Sequence, residues 1–232
     1  MRNTLSLVVM LLGCGADEPS ADASIWEPYA ATENIAGRSL DEWAVEWNRW
    51  TYAQTSCDSP WTDIDGSQCG LYQDEDSPVF FLTFAPSETP RSKCKLPSDK
   101  FIFVPVITVT VDNVGEEPPL EAEELERDAM DGLESMRDQM LVVDGSSFPM
   151  EEHVVAPIKH TALLPAAPNY YTCQGVEGYE NLTLDPVYVA GYFALLPPPG
   201  PGKHTLSYAG AQDIYGVSQV SQANMQLTVD TL

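Results

Sequence analysis

The sequence predicts a mainly β protein: an antiparallel β-sandwich, jelly-roll-like or immunoglobulin-like, carrying two amphipathic helices. Three observations predict it. Runs of β-branched and aromatic residues recur along the chain, most clearly VFFLTF at 79–84 and FIFVPVITVTV at 101–111, and such side chains suit a pleated, half-buried surface. Pro, Gly and Asp residues of the kind that form turns separate these runs. Helical periodicity is confined to two stretches, 39–55 and 119–140.

The chain opens with a positive residue, Arg2, an apolar run from Leu5 to Leu12, then Gly13 and Cys14. The run is too short to span a bilayer but suits the apolar region of an export signal. Leu11-Leu12-Gly13-Cys14 resembles the lipobox of bacterial lipoproteins. The resemblance implies a signal peptide over 1–13, a diacylglycerol thioether on Cys14 and an acylated amino group there, enough buried CH₂ for stable anchoring. Gly15, rather than Asp, follows Cys14; by resemblance to Gram-negative sorting, this directs the protein to the outer membrane. The expected location is thus the bacterial cell envelope, with the membrane as partner through the lipid. Residues 14–37 begin small and acidic and read as a lipidated flexible tether, with Trp26 and Tyr29 docking its far end. Residues 38–232 form the sandwich domain.

Ser39 and Glu42 carry the signature of a capping box. Leu40, Trp43, Trp47 and Trp50 follow at steps of three, four and three, one face of a helix. A tryptophan row of this kind is read as core packing, with a sugar-stacking platform as the alternative. In the run 101–111, one face holds Phe101, Phe103, Pro105, Ile107, Val109 and Val111, and the other ends in Thr108 and Thr110. Pro105 cannot donate to a ladder and marks an edge or a bulge. Leu125, Ala129, Leu133, Met136 and Met140 give the second helix its apolar face. Glutamates crowd its start, where the helix dipole favours anions. Beyond it, Asp144-Gly145 is a turn, and 153–164, 187–196, 203–209 and the alternating C-terminal run read as strands. The third of these is expected to pair antiparallel with the second across the Pro-rich segment 197–202.

With 11 Lys plus Arg against 35 Asp plus Glu, the chain lacks the basic footprint of a nucleic-acid binder, and no nucleic-acid partner is expected. The acidity reads as a solubilising surface. Asp63, Asp65 and Asp74 are candidate Ca²⁺ ligands in the Asp63-Ile64-Asp65-Gly66 turn. Position twelve counted from Asp63 is Asp74, where a calcium loop carries a bidentate glutamate, so the stretch is read as a turn and no cofactor is expected, Ca²⁺ being the alternative. Setting Cys14 aside, Cys57, Cys69, Cys94 and Cys173 form an even set in an exported chain, which favours two disulfides with three possible pairings.

The order of motifs resembles that of a family of uncharacterised exported bacterial proteins. The residues that carry it are Trp43, Trp47 and Trp50, then Asp65-Gly66 with Cys69, Gln73, 79–82 (VFFL), Arg91 with Cys94, Leu96-Pro97, Lys100 with Phe103 and Pro105, Val143-Asp144-Gly145, Gly191-Tyr192 and Gly202-Lys203-His204-Thr205. It covers roughly Trp43 to Gly210 and implies no specific activity. The chain departs from it at Phe80, at Ser98-Asp99 and at Ala190, which stands where the family has Asp and removes a carboxylate from that loop. In the family pattern Cys69 and Cys94 recur together, which implies the pairs Cys69–Cys94 and Cys57–Cys173; Cys57–Cys69 with Cys94–Cys173 is the competitor.

Catalytic signatures are sparse. On one regular strand His153 and His160, seven apart, face opposite sides and share no metal. His204, in line with Leu206 and Tyr208, reads as a structural imidazole. The chain has no nucleophile elbow, zincin helix, P-loop or dinucleotide glycine pattern. The leading expectation is a non-enzymatic, lipid-anchored envelope protein that binds or organises an envelope glycan or protein. One alternative is a carbohydrate-binding module using Trp61, Tyr170 and Tyr171. The other is a hydrolase pairing Asp185 or Asp213 with His204.

Overall fold

The computed structural model describes residues 26–84, 90–214 and 217–229. The expected signal peptide, Cys14 and the tether as far as residue 25 lie outside the described residues. Among the described residues the strands are β1 (Val79–Phe81), β2 (Lys95–Leu96), β3 (Phe101–Val111), β4 (Arg137–Val143), β5 (Ser146–Phe148), β6 (Val154–Leu164), β7 (Leu182–Leu196), β8 (Gly202–Ile214) and β9 (Val217–Val229). The helices are α1 (Leu40–Tyr52) and α2 (Ala122–Glu134).

Two sheets form, in the orders β1-β3-β7-β6 and β2-β9-β8-β4-β5. Ile102 and Val104 of β3 and Leu196 of β7 pack against Leu141, Leu206 and Leu227 of the second sheet in one buried core. The fold is therefore a sandwich. Its central ladders are antiparallel, as expected, but each sheet gains a short parallel edge strand, β1 beside β3 and β2 beside β9. On the far side of the first sheet, Trp43 and Trp47 of α1 pack on Phe103 and Phe193. Leu125 and Ala129 of α2 pack on Tyr188 of the same sheet.

Four expectations are corrected. First, α2 ends at Glu134, and Met140 is an exposed strand residue rather than part of the helical stripe. The edge of β8 is available there, and β4 pairs with it (Met140↔Ala209, Leu141↔Tyr208), so tertiary pairing outweighs a continuing helical period. Second, β8 does not pair with β7; it lies in the other sheet between β9 and β4. The segment 197–201 contains four prolines without amide hydrogens, unsuited to a tight hairpin and suited to a crossing between sheets. Third, the single alternation of faces read through 101–111 does not hold: Pro105 marks a bulge, the second of its two expected roles, within an inner strand, with a register shift between Pro105 and Ile107. One extra residue reverses the side-chain alternation beyond it. Ile107 and Val109 thus face Gly210 and Gly132, while Thr110 turns to the α1 side with Phe103. Fourth, β6 begins after His153 and carries two register shifts, so strict alternation does not relate His153 to His160. His153 instead meets the carbonyl of Tyr29 through Nε2 at 3.0 Å.

The far end of the expected tether is docked. Trp26 is buried and donates Nε1–H to the Pro197 carbonyl at 2.8 Å, and the Tyr29 amide donates to Leu195 at 2.9 Å. Disulfides join Cys57 to Cys173 and Cys69 to Cys94. Gly66 makes the second approach feasible: its φ is +90°, and a Cβ there would lie 2.6 Å from the Cys94 nitrogen. Among the described residues no helix is long and apolar enough to cross a membrane.

Candidate functional site

Helix α1 begins with the capping box read from the sequence: Glu42 accepts from the Ser39 amide at 2.8 Å, and Ser39 Oγ accepts from the Glu42 amide at 3.3 Å. Its tryptophan row is core. Trp43, Trp47 and Trp50 each donate their indole N–H to a carbonyl, of Ile35, Leu82 and Tyr72 at 3.0, 2.8 and 2.7 Å. A second buried strip, Ala44, Asn48 and Thr51, runs beside it at steps of four and three. Asn48 and Thr51 of that strip line a cavity.

The cavity holds about 270 Å³ between the C-terminal half of α1 and the ends of β3 and β8. Its walls are aromatic: Trp47, Tyr52, Trp61, Phe84 and Tyr170. Their rings form a chain of contacts, with centroids 5.9 Å apart for Trp47–Trp61, 5.9 Å for Trp61–Tyr170 and 5.4 Å for Tyr52–Tyr170. Its polar lining comes from Asn48, Thr51, Thr108, Thr110 and Gln212, and Thr110 reaches it only because of the bulge at Pro105. Asn48 Nδ2 donates to Thr110 Oγ1 at 2.9 Å. Thr51 Oγ1 donates to the Trp47 carbonyl at 3.1 Å, whereas Asn48 Oδ1, Gln212 Oε1 and Trp61 Nε1 are buried and have no hydrogen-bond partner among the described residues. Asn48 is 2 % exposed and Gln212 5 %. Buried polar groups are normally paired, and each unpaired one costs roughly 1–3 kcal/mol. None of the lining residues is charged, in a chain whose formal net charge is -24.

Arg91 holds two of the walls. It is 0 % exposed, and its Nη2 donates to the carbonyls of Pro60 at 3.1 Å and Phe84 at 2.6 Å, while Nη1 donates to Thr83 Oγ1 at 3.2 Å. It therefore sets the position of Phe84 and of Trp61, which follows Pro60. Burial pushes its pKa below the usual arginine value, against the opposing influence of Tyr208 and Asp63.

The loop between β6 and β7 supplies Tyr170. Asn169 organises it: Oδ1 accepts from the amides of Tyr171 and Thr172 at 3.1 and 3.0 Å, and Nδ2 donates to Pro165 and Tyr179, each at 2.9 Å. Tyr171 and Tyr52 both donate to Asp112 Oδ2, at 2.5 and 2.6 Å. Burial, and then the Asp112 charge, raises both phenols above their ordinary range. The Cys57–Cys173 bond ties the same loop to the segment leading to Trp61.

The structure brings together Trp61, Tyr170 and, one step behind, Tyr171 and Cys57–Cys173. It does not gather the other candidates. His204 binds Asp144 Oδ2 through Nδ1 at 2.7 Å and the Gly200 carbonyl through Nε2 at 2.8 Å, with its ring edge-on to Trp26. Asp213 pairs with Arg137 at 3.1 Å, and Asp185 is exposed. Gln73 completes the edge of β1, exchanging hydrogen bonds with the Phe81 backbone at 2.9 Å. Asp63 is a buried turn former whose carboxylate accepts the amides of Asp65, Gly66 and Gln68. Asp65 pairs with Lys93 at 2.6 Å, and Asp74 Oδ1 accepts the Asp76 amide. Among the described residues no group of three or more His, Cys, Asp or Glu is placed to hold a metal ion. Asn48 and Gln212 were not legible as site residues; the nearest signal was the small and polar strip beside the tryptophan row. Comparisons of the chain with protein-family models, curated proteins and solved structures give no match.

Proposed function

We propose that the protein is a non-enzymatic, lipid-anchored binding protein of a bacterial envelope, of the exported family its motifs resemble, and that its cavity takes a neutral, polyhydroxylated ring such as a sugar unit of an envelope glycan. One observation carries the reading: a cage of aromatic rings encloses three unpartnered buried polar atoms and no charge. Aromatic faces accept the C–H faces of a sugar, and its hydroxyls donate to Asn48 Oδ1 and Gln212 Oε1 and accept from Trp61 Nε1–H. At about 270 Å³ the cavity lies just below the usual small-molecule range of roughly 300–1,000 Å³, the size of a single ring.

The anchor is supported by the order of Arg2, the apolar run, Gly13 and Cys14, and the outer-membrane placement by Gly15. The geometry of the body suits such an anchor. Trp26 docks where β7 ends, whereas Thr110 lies eight residues along β3 from Ile102, the partner of Leu196. At ~3.3 Å per residue, the cavity lies roughly 25 Å from the tethered end.

A glycan array probed with the mature protein, followed by calorimetry on the hits, tests the ligand. Binding that Asn48→Ala and Trp61→Ala both weaken is expected. A folded protein that ignores every envelope glycan on the array sinks the reading. Mass spectrometry of protein from its native host tests the anchor; an unmodified Cys14 thiol removes it.

A further inference from the structure

A second cavity adjoins the first. It holds about 280 Å³ and shares Trp61 and Tyr170 with its neighbour. Gln54, Ser59, Thr62, Cys173 and Gln174 supply other parts of its wall. The chemistry repeats. Gln54 is 3 % exposed, and its Nε2 has no hydrogen-bond partner among the described residues. Hydroxyls and amides again dominate the lining, and again no lining residue is charged. The Trp61 and Tyr170 rings, 75° apart in plane, form the rim common to both cavities.

We infer that the site takes a linear chain of at least two neutral hydroxylated rings, one unit in each cavity, crossing the Trp61–Tyr170 rim. The inference rests on the reading of the first cavity as a sugar site and names the ligand more closely: an oligosaccharide rather than a single sugar. Two cavities of similar size and the same donor and acceptor types suit a repeating polymer. The unpartnered amide of Gln54 provides a donor to the second unit, as Asn48 and Gln212 provide acceptors to the first. The Cys57–Cys173 bond joins the segment before Trp61 to the loop bearing Tyr170, so the second cavity exists before ligand arrives, and little ordering cost falls on binding.

The test titrates the full-length mature protein with N-acetylglucosamine and its β-1,4-linked dimer and tetramer, and with glucose and cellobiose. The chains are expected to bind at least about tenfold more tightly than the matching single sugar. Gln54→Ala, and separately Gln174→Trp at an exposed position that fills the second cavity, are expected to abolish the advantage of chain over single sugar; because Gln174 Nε2 also donates to the Tyr170 carbonyl at 3.1 Å, the readout is the ratio of the two affinities within each variant. Asn48→Ala weakens both. Equal affinity for one unit and two, or chain affinity indifferent to both second-cavity variants, overturns the two-unit inference and leaves the first-cavity reading standing. No binding of any of these sugars by the folded protein overturns both.

Discussion

Gly191 of β7 lies across the ladder from Thr108 of β3, and a Cβ at Gly191 would stand 2.3 Å from the Ile107 carbonyl oxygen. The glycine makes room for the bulge that turns Thr110 toward α1. Its φ of +148° is also one that side chains disfavour. Gly191→Ala is expected to destabilise the fold by at least ~1–3 kcal/mol from backbone strain, with the clash adding to it. Urea denaturation measures this; an unchanged midpoint would show that β3 accommodates the methyl without the bulge.

Arg91 is a positioning residue for the cavity. Arg91→Met keeps the bulk of the stem but removes the guanidinium donors to the carbonyls of Pro60 and Phe84, leaving the single Thr83 hydroxyl, 2.8 and 3.2 Å away, to serve one of the two. The one carbonyl left stranded costs roughly 1–3 kcal/mol. Phe84 and Trp61 lose their common tie, so sugar affinity is expected to fall along with stability. A variant that loses stability and retains full affinity would separate Arg91 from the site.

His160 is buried on β6, and burial is the main cause that lowers its pKa; Arg49 acts the same way, while the Thr161 carbonyl and Glu46 oppose. A lowered folded value means the unfolded chain takes up the proton first. The contribution to stability is therefore fully present above about pH 6.5, the unfolded value, and is lost as pH falls through the folded value. Between pH 7 and 5, the wild type should lose stability more steeply than His160→Gln. Parallel pH profiles would count against a neutral buried His160.

The two disulfides differ in access. Cys57 is exposed, whereas Cys69 and Cys94 are buried. Mild reduction should open Cys57–Cys173 first, a bond that closes 116 residues and constrains the unfolded chain by up to roughly 4–5 kcal/mol in the chain-entropy account. Thiol labelling with peptide mapping reads the order. Hydrogen exchange in 165–181 should rise while the β3 and β7 amides hold, and initial labelling at Cys69 would contradict this.

The chain alone determined what depends on near neighbours. Alternating and β-branched runs specified strands, the Ser39–Glu42 pair started α1 on the expected residue, and Trp43, Trp47 and Trp50 declared a buried face, because backbone period and side-chain spacing are local properties. Tertiary packing decided the rest. Local pattern could not foresee that β8 would join the other sheet, that pairing with β8 would take 137–143 into a strand, or that a bulge at Pro105 would reverse which face Thr110 occupies. The cavity belongs to the same class: Asn48, Trp61, Tyr170 and Gln212 are scattered along the chain and meet only where α1 covers the ends of β3 and β8. Ordinary polar residues become candidate ligand contacts there because burial leaves some of their polar atoms without partners among the described residues, and burial is a property of the packed chain.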